Sequence, residues 1–141
     1  RNIPVVVHII LGLPGESRET VLRTIDYLNR LPIQGVKLQL LHVLSDSDLA
    51  DLYRAGEYTP LEKEEYLTLV GDCIAHLRAD IVLHRLTGDG DKNTLLAPLW
   101  SLRKRDVLNH LHRYLKENHI RQGMSCKIDL SVIYNKPKDV L

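Results

Sequence analysis

The feature that most constrains the fold of this chain is an apolar segment close to its start. The stretch Val5–Gly12 contains one polar residue, His8, and runs directly into the sequence Gly-Leu-Pro-Gly of residues 12–15. An apolar run of this length is typical of a strand that is buried on both faces, as in a parallel sheet. In such α/β folds, ligands bind where loops follow the carboxyl ends of strands. The segment therefore predicts both a fold class and the end of the fold that carries function.

The pattern that follows predicts a βαβ unit. A first strand over Ile3–Leu11 precedes a helix from about Arg18 to Leu31, for which Ser17 is a suitable N-cap. A second apolar strand is expected over Val36–Val43. A polar connector with a short helical turn is expected over Ser45–Tyr58, followed by a helix that Thr59 caps, with Pro60 at its first position and Glu62 in a capping box. After this helix we expect a third strand over Asp80–His84, a last helix over Leu102–Asn118 and a strand-like tail over Ile128–Ile133.

Composition and charge exclude several classes of protein. The length of 141 residues is that of one domain, and the net charge of +1 favours neither a nucleic acid nor a membrane as partner. No apolar run reaches about 18 residues, so no membrane span is predicted and a cytoplasmic location is the default expectation. Because the chain begins with Arg1, four residues before an apolar strand, we expect it to be a fragment of a longer protein.

An ordered set of motifs, spread over residues 3–123, resembles a known family. The first is Ile10-x-Gly-Leu-Pro-Gly-Glu16, in which Gly-Leu-Pro-Gly alone would be a weak signal; the others are Leu38–Val43, His84–Gly90, Leu95–Ser101 and Val107–Asn109. Together they resemble the C-terminal half of the YhcC/YtqA-like members of the radical S-adenosylmethionine (radical SAM) enzymes. The resemblance implies the C-terminal part of a (β/α) partial TIM-type barrel with an appended helical region. Its divisions would be a half barrel over residues 1–101, a helix over 102–123 and a tail over 124–141.

The resemblance also implies the chemistry of the parent protein. That parent would hold a [4Fe–4S] cluster and S-adenosylmethionine, cleave the latter reductively to a 5′-deoxyadenosyl radical, and abstract hydrogen from a substrate that the sequence does not identify. The family's three-cysteine motif CxxxCxxC is absent from this chain, and Cys73 and Cys126 are too few and too far apart to hold a cluster. We therefore expect the fragment to be inactive alone, to bind no cluster and to contain no metal site.

The loop after the first strand is the candidate cofactor site. Its glycines allow close approach of a ligand to the backbone, and the following helix N-terminus is expected to present free N–H groups to an anion, although a tight turn without a ligand has the same residue types. By the resemblance, Ile10 would pack on the adenine, and the remaining cofactor contacts would come from Gly12, Leu13, Pro14 and Gly15. A common family pattern has an acid three residues after the first glycine, whereas Glu16 follows by four.

Three polar residues are the candidates for a substrate-side role. His42 ends the second strand at the functional end, where it can contact a substrate or transfer a proton; a histidine that is hydrogen-bonded to neighbouring backbone is the alternative. Arg85 and Asp89 lie in the glycine-containing loop His84–Gly90, and an arginine there can bind a carboxylate or phosphate at two points. A solvated turn is the alternative interpretation of that loop. His8 is expected to be a core or barrel-interior histidine, and Cys73 to be core.

Two other functions are compatible with the residues, and one physical property follows from the fold. The last helix is basic, so the chain can belong to an RNA-modifying radical enzyme or be its RNA-binding part, although a solvated helix face explains the same cations: Arg103, Lys104, Arg105, Arg113 and Lys116. A non-catalytic half-barrel interaction domain is the other alternative. The substrate would be a small molecule or RNA. We expect the fragment to self-associate, because the strand Ile3–Leu11 lacks a neighbour and carries no protecting charge.

Overall fold

A computed structural model describes residues 3–134 and shows an α/β fold. In chain order the elements are β1 (Val6–Leu11), α1 (Arg18–Leu28), β2 (Gly35–Leu40), β3 (Val43–Leu44), α2 (Asp48–Arg54), α3 (Lys63–His76), β4 (Val82–Arg85), β5 (Leu95–Ala97), a 3₁₀ helix (Leu99–Leu102), α4 (Lys104–Glu117) and α5 (Ser131–Tyr134). No helix within the described range combines the length and the apolar character that crossing a bilayer requires.

The central sheet consists of three parallel strands in the order β1-β2-β4. β1 and β2 pair along their whole lengths, from Val6 opposite Gly35 to Leu11 opposite Leu40. β3 and β5 form a separate antiparallel pair. Within residues 3–134 the parallel sheet is open and no closed barrel is formed. The structure thus confirms an α/β fold with a parallel sheet, whereas the partial TIM-type barrel stays a prediction.

The main core lies between one face of this sheet and the helices α1, α3 and α4. Its fully buried members come from every one of these layers and include Leu11, Ile25, Val36, Val70 and Leu111. Complete burial of a large aliphatic side chain contributes about 1.5–3 kcal/mol to folding relative to exposure. Helix α4 contributes to this core and packs against α3.

The prediction that the first strand is buried on both faces is wrong. One face of β1 packs on the core through Val7, Ile9 and Leu11. The alternate residues are exposed, with Val6 at 42% and Ile10 at 41% of their possible surface. His8 lies on the same exposed face and is therefore not a core histidine. The reason is that the helices of the described chain cover only one side of the sheet.

Two segments differ from the sequence expectations, namely the end of the second strand and the start of α3. The second predicted strand ends at Leu40, and after a two-residue break Val43 pairs with Ala97 in a second sheet. Helix α3 begins at Lys63 with Glu62 as N-cap, not Thr59, and the capping box forms between Glu62 and Glu65. A helix start at Pro60 is replaced by an extended segment whose Leu61 packs against the core.

The predicted strand Ile128–Ile133 is also wrong. Residues Ser131–Tyr134 form the short helix α5, and the Asp129 carboxylate accepts a hydrogen bond of 2.9 Å from the Ser131 N–H at its start. An aspartate two residues before a helical turn competes with extended backbone by bonding the chain locally. The last seven residues of the predicted tail lie outside the described residues.

A buried arginine, Arg78, connects several segments at the end of the fold opposite the candidate site. Arg78 is 2% exposed, and its guanidinium donates to the carbonyl oxygens of Asn29 (2.9 Å), Leu31 (3.3 Å) and Ile33 (3.3 Å). Its Nε also donates to the carboxylate of Asp80 at 2.6 Å. The carbonyls that follow a helix lack intrahelical partners, so this side chain satisfies the C-terminal end of α1 and the loop into β2.

Candidate functional site

The exposed face of the parallel sheet presents polar and apolar side chains together. Residues that are paired across parallel strands point to the same face, so Lys37 and Gln39 of β2 accompany His8 and Ile10 of β1. On β4, His84 is exposed, and its imidazole lies over Gly35, where any side chain would overlap the ring. Sequence analysis missed Lys37 and Gln39, although their alternation with buried neighbours in β2 is the pattern that marks a second, accessible face.

The backbone of the loop after β1 is held by two side chains. A carboxylate oxygen of Glu16 accepts hydrogen bonds from the N–H groups of Gly12 (2.9 Å) and Leu13 (3.2 Å). On the other side, the Tyr58 hydroxyl donates to the Gly12 carbonyl at 2.7 Å. Gly12 has φ of 91° and Gly15 has φ of 73°, both in the region that favours glycine. The loop is therefore pre-formed by contacts within the chain.

These contacts occupy some of the N–H groups that this loop and helix start were expected to present to an anion. The N–H groups of Gly12 and Leu13 are already bonded to Glu16. In the first turn of α1, the Ser17 hydroxyl accepts a hydrogen bond from the Thr20 N–H, and the Thr20 hydroxyl accepts one from the Ser17 N–H. The role that the sequence left open for Glu16 is thus to shape the loop. Burial and the nearby Glu16 charge raise the pKa of Tyr58, which keeps its hydroxyl a donor.

The remaining predicted cofactor contacts lie together at this end of β1. Ile10 is an exposed aliphatic side chain one residue before the strand ends, and Leu13 is 44% exposed in the loop. Pro14 and Gly15 are exposed beside them. The chemistry of this patch is apolar contact: a flat aromatic ring can rest on the Ile10 side chain, while the backbone polar groups of Gly12 are occupied elsewhere.

His42 lies beneath the loop that follows β4. A Cβ atom on Gly88 would come within 2.5 Å of the His42 Cε1 atom, so the imidazole is in close contact with this glycine. Gly90 and Gln39 belong to the same cluster. The Nε2 atom of His42 is shielded from solvent and has no hydrogen-bond partner among the described residues. Burial lowers the pKa of His42, against an opposing effect of the Asp89 charge, so the ring is neutral at pH 7.

The structure brings the other two substrate-side candidates together and adds a third residue. Arg85 and Asp89 form an ion pair with a separation of 3.6 Å, and Lys104 of α4 contacts the same carboxylate at 2.6 Å. The hydrogen bond and charge of Lys104 lower the pKa of Asp89. Sequence analysis placed Lys104 only among the cations of a basic helix, because nothing in the local pattern links it to a loop 15 residues earlier.

The two cysteines of the chain are not placed to hold an iron–sulfur cluster. Cys73 is fully buried in α3, where burial raises the pKa of its thiol to about 12. Cys126 lies at the opposite end of the fold from the loop after β1, beside Asn29, whose amide is 3.6 Å from the sulfur. No group of three or more potential metal ligands occurs within residues 3–134.

Comparison with known proteins identifies the family to which this chain belongs. Residues 33–117 match the family model described as the Radical_SAM C-terminal domain. The chain belongs to the radical SAM C-terminal domain family, and the resemblance noted in the sequence is confirmed.

Three curated relatives from bacteria and an archaeon agree with this assignment. Protein YhcC of Escherichia coli (strain K12) is 33% identical over 121 residues, which are 86% of this chain and 39% of that protein. The uncharacterized proteins YtqA of Bacillus subtilis (strain 168) and MJ0486 of Methanocaldococcus jannaschii are 34% and 35% identical over 86% and 87% of this chain. The chain spans 38–39% of the length of these relatives.

One solved structure shows the same fold. The archaeal Elp3 of Methanocaldococcus infernus, with residues 1–46 deleted, superposes with a TM-score of 0.70 at 16% identity. The superposition covers 85% of this chain and 28% of that one. At this level of identity the likeness establishes a shared fold and no shared activity.

Proposed function

We propose that this chain is the C-terminal part of a radical SAM enzyme, in which it forms one side of the S-adenosylmethionine cleft and part of the substrate-facing surface. The observation that carries the proposal is the family match over residues 33–117. The exposed sheet face supports it, because an apolar-and-polar surface at the carboxyl ends of parallel strands is where α/β enzymes bind ligands. In the parent, the open sheet would continue into a partial barrel with the strands that precede this chain.

The residues at the end of β1 fit the adenine part of S-adenosylmethionine. Ile10 offers an accessible apolar surface, and the loop beside it is held in shape by Glu16 and Tyr58. A pre-formed loop loses little conformational entropy when a ligand binds. Recognition at this place would rest on shape and apolar contact, since the Gly12 and Leu13 N–H groups are bonded to Glu16. Pro14 and Gly15 would contribute contact surface at the rim.

The residues present do not fit the [4Fe–4S] cluster. One thiol is buried in the core and the other lies far from the strand ends, whereas cluster ligation needs several adjacent thiolates. The cluster ligands would therefore come from the part of the parent that this chain does not include. When bound there, cluster and cofactor supply reductive cleavage and hydrogen abstraction, and the task of this chain is to orient cofactor and substrate and to exclude water.

The proposal is tested by a charge placed on the predicted adenine surface. In the full-length parent, Ile10→Asp should weaken S-adenosylmethionine binding at least about tenfold, because a carboxylate pressed against an adenine loses its hydration without gaining a partner. Val6→Asp is the matched control, since Val6 lies on the same face of β1 and is 42% exposed against 41% for Ile10. Calorimetric titration measures both affinities. Equal affinity in a folded Ile10→Asp variant would remove this surface from the cofactor site.

The substrate class and the cellular location stay predictions. RNA remains the second candidate substrate because the N-cap residue Arg103 and four cations within α4 are exposed: Lys104, Arg105, Arg113 and Lys116. Binding to phosphates along an RNA strand falls steeply with salt, so a titration of the parent with RNA at several salt concentrations tests this candidate. Failure of the parent to bind S-adenosylmethionine would instead favour the non-catalytic interaction domain. A cytoplasmic location is likewise untested.

A further inference from the structure

We propose that Arg85, Lys104 and His42 form a binding site for a carboxylate or phosphate group of the substrate, and that the Asp89 carboxylate occupies this anion site in the absence of ligand. The inference rests on the proposed function for one point only, namely that the ligand is a substrate. The existence of the anion site follows from three features of the described residues: the convergence of two cations, their exposure, and a shielded histidine nitrogen.

The first feature is that two cations from separate elements converge on one carboxylate. Lys104, the first residue of α4, places its Nζ atom 2.6 Å from one Asp89 oxygen. Arg85, the last residue of β4, places a guanidinium nitrogen 3.6 Å from the other oxygen. Two positive charges facing one negative charge leave a net positive charge at this place. An oxyanion that replaces the Asp89 side chain finds donors already arranged around it.

The second feature is that the arrangement is open to solvent. The side chains of Arg85, Lys104 and Asp89 are 39%, 46% and 56% exposed. Ion pairs that are exposed to this extent contribute little to stability, because water and salt compete with them. Displacing Asp89 therefore costs little, and a ligand anion with better geometry can replace it.

The third feature is the His42 nitrogen that lacks a partner. Buried polar atoms in proteins are almost always hydrogen-bonded, and the exceptions need an explanation. The Nε2 atom of His42 is covered by the segment Gly88–Gly90, of which Asp89 is the middle residue. If Asp89 moves outward as an anion enters, the same movement uncovers Nε2, and its N–H can donate to the entering oxygen.

The loop is built so that its middle can move while its ends stay fixed. On the N-terminal side of the segment Gly88–Gly90, the Tyr66 hydroxyl donates to the Leu86 carbonyl at 2.8 Å, and Thr87 is buried. After it, the Leu95 N–H donates to the Asp91 carbonyl at 2.9 Å. The segment between these anchors contains two glycines, which adopt new backbone angles without the steric cost that other residues meet.

The test is anion binding to the full-length protein in the absence of S-adenosylmethionine. Inorganic phosphate and succinate are titrated separately by calorimetry into the wild type and four variants. Lys104→Met and Arg85→Met should each weaken binding at least about tenfold, because each removes a donor and a positive charge. Asp89→Asn should strengthen binding about threefold or more, because it removes the competing carboxylate. Arg23→Met is the matched control, because Arg23 is an exposed cation of α1 outside this cluster, and it should leave the affinity unchanged.

The opposite responses of the Asp89 and Lys104 variants separate a binding site from a surface ion pair. A simple ion pair would lose stability in both variants, and neither would change anion affinity. A stronger response to phosphate or to succinate identifies which oxyanion the site prefers, while binding of neither anion overturns the proposal. A ¹⁵N spectrum of the His42 imidazole should shift on anion addition in the wild type and stay constant in Lys104→Met; an unchanged wild-type signal would remove His42 from the site.

The same measurements distinguish this inference from the proposed function. Ile10→Asp should lose S-adenosylmethionine binding and keep anion binding, since Ile10 belongs to β1 and takes no part in the ion-pair cluster. A protein that binds phosphate or succinate through Lys104 but never binds S-adenosylmethionine would retain the anion site and lose the enzyme assignment.

Discussion

Arg78 illustrates how a single charged residue can be both buried and satisfied. Three backbone carbonyls and the Asp80 carboxylate take up its guanidinium donors. The residue itself is anchored by its backbone N–H, which donates to the Asn29 side chain at 2.8 Å, and by its carbonyl, which accepts from Gln122 at 3.0 Å. It therefore connects α1, the turn before β4 and the segment after α4.

We predict that Arg78→Met lowers the free energy of unfolding by about 2–6 kcal/mol, because it leaves two buried carbonyl oxygens without a donor and each costs about 1–3 kcal/mol. Methionine fills a similar volume but has no N–H group that could replace the guanidinium donors. The measurement is urea denaturation followed by circular dichroism. Arg30→Met is the matched control, since Arg30 is exposed in the same region and should change stability by no more than about 0.5 kcal/mol. A similar small change in Arg78→Met would contradict the structural role of this network.

At the scale of elements, the junction between β1 and α1 depends on one carboxylate. Glu16 bonds the Gly12 and Leu13 N–H groups, while its own N–H donates to the Leu13 carbonyl at 3.0 Å. The result is a closed turn that joins the last strand residue to the helix cap Ser17. A carboxylate acceptor makes stronger hydrogen bonds than a neutral group does, so this turn is more rigid than its exposure indicates.

We predict that Glu16→Ala destabilises this turn by about 1–3 kcal/mol, the effect of losing hydrogen bonds to a charged group. The readout is amide hydrogen exchange, which should become faster at Gly12 and Leu13 in the variant while the α3 core amides keep their rates. Glu117→Ala provides the control, because Glu117 is an exposed glutamate at the C-terminal end of α4, outside this turn. Unchanged exchange at Gly12 and Leu13 would show that other contacts, such as Tyr58, hold the loop alone.

At the scale of the whole molecule, the open sheet has two free edges and one uncovered face. β1 pairs with β2 on one side only within the described residues. Val6 and Ile10 are exposed on the adjoining face, and Ile3 and Val5, at 71% and 44% exposed, extend the apolar surface beyond the strand. An unprotected edge of this kind pairs readily with another chain.

We therefore predict that the 141-residue chain self-associates at micromolar concentration, with sedimentation velocity as the measurement. Val6→Lys should shift the population toward monomer, because a charged side chain at a strand edge opposes pairing between strands. Leu99→Lys is the control, since Leu99 is 63% exposed but belongs to the 3₁₀ helix and not to the sheet edge. A strictly monomeric wild type, or an equal effect of both variants, would contradict association through β1.

The parts of this protein that follow local rules were predictable from its sequence. The βαβ unit, the helix α4 and the Ser17 cap follow from apolar spacing and capping chemistry, which act over a few residues. The positions of Ile10 and Arg85 at strand ends follow in the same way. The family resemblance adds the cofactor assignment, because an ordered set of motifs carries more information than any one of them.

Only the tertiary structure decided which residues act together. The open face of β1, the bonding of Gly12 by Glu16 and Tyr58, and the meeting of Lys104 with Asp89 depend on packing between distant segments. Apolar periodicity reports that a side chain is buried or exposed, but not which layer covers it or which charge it faces. The physical reason is that strand register and helix packing are determined by the fit of the complete core, to which every element contributes at once.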